Sequence, residues 1–196
     1  MMKKMDSFKA IIFDLDGVIV KSGLDFKLIG KEIFGSELDE PVLEQIEQLK
    51  DPEEKKRALK ILENHETRAA FTSELNFGIM ALLRLLCQKK IKRAIVTRNS
   101  RKSVSIVLDR FGLDFDAVIT RKEAPPKPAK EPVLLACEKM GLQPEEVILI
   151  GDYEFDMLAG KRAGVTTILL RAPNQPSSEN ADMVIDSILE LAKLIS

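Results

Sequence analysis

The stretch IIFDLDGVIV, residues 11–20, drives two acids into the end of an apolar segment. Asp14 and Asp16 stand one residue apart with Gly17 next, and burying ionised carboxylates without a cationic partner is costly. Polar residues close other apolar runs in the same way. Thr97, Arg98, Asn99 and Ser100 follow RAIV; Lys127 lies in RKEAPPKPAK after DAVIT; Asp152 and Asp156 lie in GDYEFD after EVILI. If these runs are strands of one parallel sheet, their carboxyl ends share the edge where open α/β folds bind ligands. Up to four carboxylates, a hydroxyl and an ammonium then meet there. Two carboxylates ~4 Å apart repel by about 4 kcal/mol at an effective dielectric of about 20. One lysine cannot neutralise Asp14, Asp16, Asp152 and Asp156 together. A divalent cation can, and an oxygen-only donor set of this size favours Mg²⁺ over Ca²⁺. Such an ion keeps positions open for a phosphate oxygen and a water.

The elements that must position these residues are legible in the apolar pattern. The runs AIIF (10–13), RAIVT (93–97), DAVIT (116–120), EVILI (146–150) and TTILL (166–170) are near-continuous and β-branched, with MVI (183–185) as a short sixth. Strands of that kind are buried on both faces, which implies a parallel sheet covered by helices. Segments 78–90, 101–112, 131–141 and 155–164 carry apolar residues three and four apart, and three of them end near Gly112, Gly141 or Gly164. Alternation of the two kinds predicts a doubly wound, mostly parallel, Rossmann-like α/β sheet.

Residues 21–76 break the rhythm. They read as helices without a convincing strand, so a small all-helical cap domain (21–76) is expected between two parts of the catalytic core (1–20 and 77–196). Leu59, Leu62, Ala69 and Ala70 are placed on one face of its last helix, with the many charges on a solvated face. His65, the one histidine, is expected at the surface of that helix. RAPNQPSSEN (171–180) reads as a surface loop.

At 196 residues the chain suffices for one substantial domain with a small insertion. A net charge of −1 gives no general attraction to nucleic acid or to an anionic membrane. Cys87 and Cys137 are far apart in apolar, helical surroundings and are expected to be buried free thiols. The lysines before the first apolar run imitate a signal peptide, but Asp14 and Asp16 interrupt that run and no small-residue cleavage site follows. No run is long enough to span a bilayer, and a cytoplasmic location is expected.

DLDGV, the strand-terminal Thr97, Lys127 with Pro128, and GDYEFD stand in the order and contexts of the four motifs of the haloacid dehalogenase superfamily. The resemblance covers nearly the whole chain and is nearest to phosphoglycolate phosphatase-like members with a helical cap. It implies a phosphatase for a small phosphorylated metabolite. Asp14 would be the nucleophile and Asp16 the general acid and base, its carbonyl also reaching Mg²⁺. Thr97 would bind the phosphoryl group, Lys127 would balance charge, Asp152 would ligate the metal, and Asp156 would support the metal, its water or Lys127. Gly17 would let the chain turn toward the cap. Lys122 and Lys130 compete for the lysine role, and the Lys-Pro pair selects Lys127. Two positions depart from the pattern: Lys21 precedes Ser22 where relatives carry an acid, and Arg98 stands where Asn is common. Arg98 is expected to contact the phosphate or a second anionic group of the substrate, with Asn99 as a further substrate contact. The same motifs would also serve a phosphomutase resembling β-phosphoglucomutase, or a non-catalytic paralogue; a dehalogenase is disfavoured by Asp16.

Overall fold

A computed structural model describes residues 8–36, 41–173 and 175–195. The lysine-bearing start (1–7) and Asn174 of the 171–180 loop lie outside the described residues. The chain begins with β1 (Ala10–Phe13) and β2 (Val20–Lys21), followed by α1 (Phe26–Phe34), α2 (Val42–Gln48) and α3 (Pro52–Thr72). Next come β3 (Glu74–Leu75), α4 (Ile79–Gln88), β4 (Lys92–Val96), α5 (Arg101–Phe111) and β5 (Ala117–Ile119). It ends with α6 (Glu131–Met140), β6 (Val147–Gly151), α7 (Glu154–Ala163), β7 (Thr166–Leu170), β8 (Met183–Ile185) and α8 (Ile188–Ile195).

Two compact units result. The first combines the segments up to Lys21, Glu74–Arg98 and from Asp114 onward; the second combines Ser22–Ser73 with Asn99–Leu113. In the first, a six-stranded sheet runs β5-β4-β1-β6-β7-β8, every neighbouring pair parallel. This is the doubly wound α/β order, reversing direction at β1. Ala10, Ile12, Ala94, Val96, Val147 and Leu149 face α6 and α7, burying Val133, Ala136, Ala159 and Ala163 against them. α4 and α8 pack on each other and reach β4 and β8 respectively. Strands buried this completely need β-branched side chains on both faces, as their sequence indicates.

The second unit is helical. α1, α2 and α3 enclose Ile29, Val42, Leu43, Ile46, Ala58 and Leu62, and α5 packs on α3. Three of its four helix starts have a local cause: the Asp25 side chain caps α1, Asp51 followed by Pro52 opens α3, and Ser100 caps α5.

The structure departs from the sequence expectation in four places. Lys21 and Glu74 pair within a two-residue antiparallel ribbon of β2 and β3, too short to show a strand period. Cys87 is exposed: Ile79, Leu82, Leu83 and Leu86 form the inward stripe of α4, and the next residue turns out of it. Cys137 is buried and free. Glu66, expected among solvated charges, is buried and accepts a hydrogen bond from the Ser100 amide at 3.0 Å. His65 is largely covered, with Nε2 2.7 Å from Glu32. Among the described residues no helix is long and apolar enough to cross a membrane.

Ile12 is fully buried at the centre of the sheet, whereas Phe26 is 56% exposed. Ile12→Ala should lower the unfolding free energy by about 2–5 kcal/mol in urea titrations. Phe26→Ala should change it by no more than about 0.5 kcal/mol.

Candidate active site

The site forms where the sheet reverses direction. Asp14 leaves β1 with its amide donating to Ile150 O at 2.9 Å, which ties it to the end of β6. Leu15 turns into the core at 1% exposure, and Asp14 and Asp16 flank it, both partly accessible. A tight turn follows, closed by the Gly17 amide donating to Val20 O at 2.7 Å. Asn76, beside β3, pins this turn by donating through Nδ2 to Gly17 O at 2.8 Å.

Lys127 enters from the loop after β5 and is 2% exposed. Its three ammonium protons all have acceptors: Asp14 Oδ1 at 2.7 Å, Val96 O at 2.7 Å and Asp156 Oδ1 at 2.5 Å. Lys122 and Lys130 are exposed, so burial separates the three lysines. Asp156 lies in the first turn of α7, where its Oδ2 accepts from the Tyr153 amide at 3.2 Å and the helix dipole favours an anion. Asp152, at the end of β6, has its carbonyl held by Gln175 Nε2 at 2.8 Å.

Asp14, Asp152 and Asp156 each offer an oxygen within 4.8 Å of the others, a donor set that suits a divalent cation. Two glycines permit the approach. Gly17 has φ +76°, and a Cβ there would lie 1.8 Å from Asp152 Oδ2; a Cβ on Gly151 would lie 2.2 Å from Asp156 Cβ.

The charges are strongly coupled. Burial lifts the Asp152 carboxyl to about 8, Asp14 and Asp156 add to the rise, Lys127 opposes it, and Asp16 adds again. Burial also lifts Asp156, to about 6, against the pull of Lys127. For Lys127, burial pulls the ammonium down, yet Asp14 and Asp156 outweigh it and hold the pKa above its ordinary value. The Asp152 carboxyl is raised by burial first and by its acidic neighbours second, and a divalent ion held among these carboxylates would relieve both costs.

Thr97 sits buried directly after β4, its amide donating to Ile119 O at 3.0 Å. Arg98 donates to the Lys127 carbonyl, and its guanidinium lies 4.7 Å from the centre of the Phe155 ring. Asn99 belongs to the helical unit, one residue before the Ser100 cap. The structure thus brings Asp14, Lys127, Asp152 and Asp156 into direct contact or close range, with Asp16 near enough to act on Asp152. Sequence reasoning passed over Asn76, Gly151, Phe155 and Gln175. Gly151, directly before Asp152, carried a local signal in its type. The other three act through contacts that link distant segments or stack rings.

A sequence profile of haloacid dehalogenase-like hydrolases matches residues 11–170. The chain belongs to this family. A haloacid dehalogenase-like hydrolase domain-containing protein of Arabidopsis thaliana is 28% identical over 95% of this chain and 83% of its own length. An N-acetylmuramic acid 6-phosphate phosphatase of Pseudomonas aeruginosa is 26% identical over 99% and 97%. A hydrolase of Pseudomonas syringae, of known crystal structure, shares the fold of this hydrolase with a TM-score of 0.80 and 21% identity over 94% and 96%.

Two outcomes follow from the geometry. Gly17→Ala should weaken divalent-cation binding by roughly tenfold or more in calorimetric titration, because a methyl group would displace the Asp152 carboxylate. The second concerns pH. Asp152 and Asp156 bind protons more tightly folded than unfolded, so metal-free protein should lose stability as pH rises from about 4 through about 8. A bound cation favours the ionised carboxylates. The rise in melting temperature on adding the cation to chelator-treated protein should therefore grow across that interval.

Proposed function

We propose that this hydrolase is a Mg²⁺-dependent phosphatase acting on a small phosphorylated metabolite through an aspartyl-phosphate on Asp14. One observation carries the reading: Lys127 holds Asp14 by Oδ1 while the carboxylates of Asp152 and Asp156 converge beside it. With Oδ1 held, the second oxygen is the one that can attack.

In this reading the Asp14 oxygen attacks phosphorus, and the bond to the leaving oxygen breaks as the new P–O bond forms. Asp16 gives its proton to the leaving oxygen. It then takes a proton from a water, which attacks the phosphorus of the aspartyl-phosphate, releasing phosphate and restoring Asp14. Lys127 offsets charge on Asp14 and on the phosphoryl group as it shifts between them. Thr97 binds the phosphoryl oxygens, Gly17 brings main chain close to them, and Asn99 adds a second contact to the substrate. Asp14, Asp152 and the Asp16 carbonyl would hold Mg²⁺, with Asp156 supporting it through Lys127. When bound, that ion neutralises the carboxylates and draws charge from the transferring group. The few protein ligands favour Mg²⁺ over Ca²⁺.

The helical unit is the segment available as a cap to exclude water and select the leaving group. Relatives named as phosphatases of a sugar phosphate support a small phosphorylated metabolite as substrate. A cytoplasmic location agrees with two free cysteines, one of them exposed.

A screen of phosphorylated metabolites, scored by released phosphate, tests the proposal. Activity should appear with Mg²⁺ and vanish on chelation. Asp14→Asn should lower kcat by roughly a thousandfold or more. Acid-quenched wild-type enzyme should carry phosphate on Asp14, detected by mass spectrometry. Full activity in Asp14→Asn would overturn the mechanism.

A further inference from the structure

We propose that Arg98 is a positioning residue: it holds the backbone of Lys127 by its carbonyl, and Phe155 keeps the guanidinium in place. The inference rests on the role of Lys127 given above, and it departs from the phosphate contact expected of Arg98 from its position beside Thr97.

Four observations make a closed circuit. Arg98 Nη1 donates to the Lys127 carbonyl. The Lys127 ammonium donates to Asp156. Asp156 follows Phe155 in the first turn of α7, and the Phe155 ring covers the guanidinium of Arg98. Each member is therefore braced by the next, from backbone through side chain and ring back to the start. Outer contacts stiffen it. Arg121 Nη1 donates to the Arg98 carbonyl at 2.9 Å, Arg162 Nη1 donates to the Pro128 carbonyl at 2.8 Å, and Tyr153 meets the Phe155 ring edge-on at 5.1 Å.

The physical need is specific to lysine. Its long, flexible side chain puts the ammonium in place only when the backbone that carries it is also fixed. Lys127 comes from the loop between β5 and α6, and hydrogen bonds at the ammonium alone do not fix the backbone that carries it. The carbonyls of Lys127 and Pro128, in two successive peptide groups, are both held by arginines. Arginine suits the task because its planar group can donate in its own plane while an aromatic ring covers its face.

Steady-state kinetics of Arg98→Met, Phe155→Leu and the double variant test this. Each single change should lower kcat roughly tenfold or more, with KM and inhibition by inorganic phosphate within about twofold of wild type. The double variant should fall no more than about twofold below the worse single, since both act through one circuit. Phe155→Tyr, which keeps the ring, should restore kcat. Independently of turnover, reductive methylation of Lys127, followed by mass spectrometry, should speed up roughly tenfold in Arg98→Met and Phe155→Leu as the loop opens. Melting curves establish that each variant is folded.

A raised KM or weakened phosphate inhibition at unchanged kcat would show that Arg98 touches substrate and would overturn the proposal. So would multiplicative losses in the double variant, or an unchanged labelling rate. A wild-type protein inactive on every phosphate tested, but with faster labelling in the variants, would refute the phosphatase and leave the circuit standing.

Discussion

One ammonium among four carboxylates governs this protein. Lys127 spends all three protons on Asp14, Asp156 and the Val96 carbonyl, and so binds the ends of β1 and β4 to the start of α7. Asp152 has no hydrogen bond to the lysine, and its carboxyl is raised to about 8, by burial first and then by Asp14 and Asp156. Such a cluster is costly in a protein interior unless it takes up a cation or a proton. It is tolerated here because acids and lysine stand where the sheet reverses direction, at an edge open to ligands.

The same cluster dictates small features around it. Two acids can approach only if no side chain stands between them, and Gly17 and Gly151 each occupy a place where a methyl group would meet a carboxylate. A turn that presents two aspartates toward one side needs its intervening residue in the core, and Leu15 is there. The turn itself is held from beside β3, where Asn76 reaches the Gly17 carbonyl. In the helical unit the buried Glu66 accepts from the amide of Ser100, the residue that caps α5, and so places an anion at the N-terminus of that helix. A charge buried for that purpose looks, in the sequence, like any other charge on a polar helix.

Strands such as EVILI and TTILL announced themselves because a strand buried on both faces leaves a run that no polar residue interrupts. The polar residues that end them were equally plain, since an acid at the end of such a run has few other uses. Two-residue strands at 20–21 and 74–75 were invisible, being shorter than any period they could display. Cys87 was misplaced because one helical step, a turn of about 100°, separates inside from outside, and composition does not register it. Arg98 lies beside a motif residue, and neighbourhood in sequence argued for a phosphate. Its stacking on Phe155 and its bond to the Lys127 carbonyl involve residues 57 and 29 positions away, known only once the chain is folded.

What the sequence by itself determined was the order of strands and helices, the doubly wound class, and the identity of the charged residues at strand ends. These depend on local hydrophobic period and residue type, which are properties of short windows. Tertiary structure alone decided which lysine is buried, which acids converge on one another, and which glycines make room for them. Those outcomes depend on distances between separate segments, Asp14 and Lys127 being 113 positions apart, and electrostatic energy is set by distance and burial, neither of which a linear string contains.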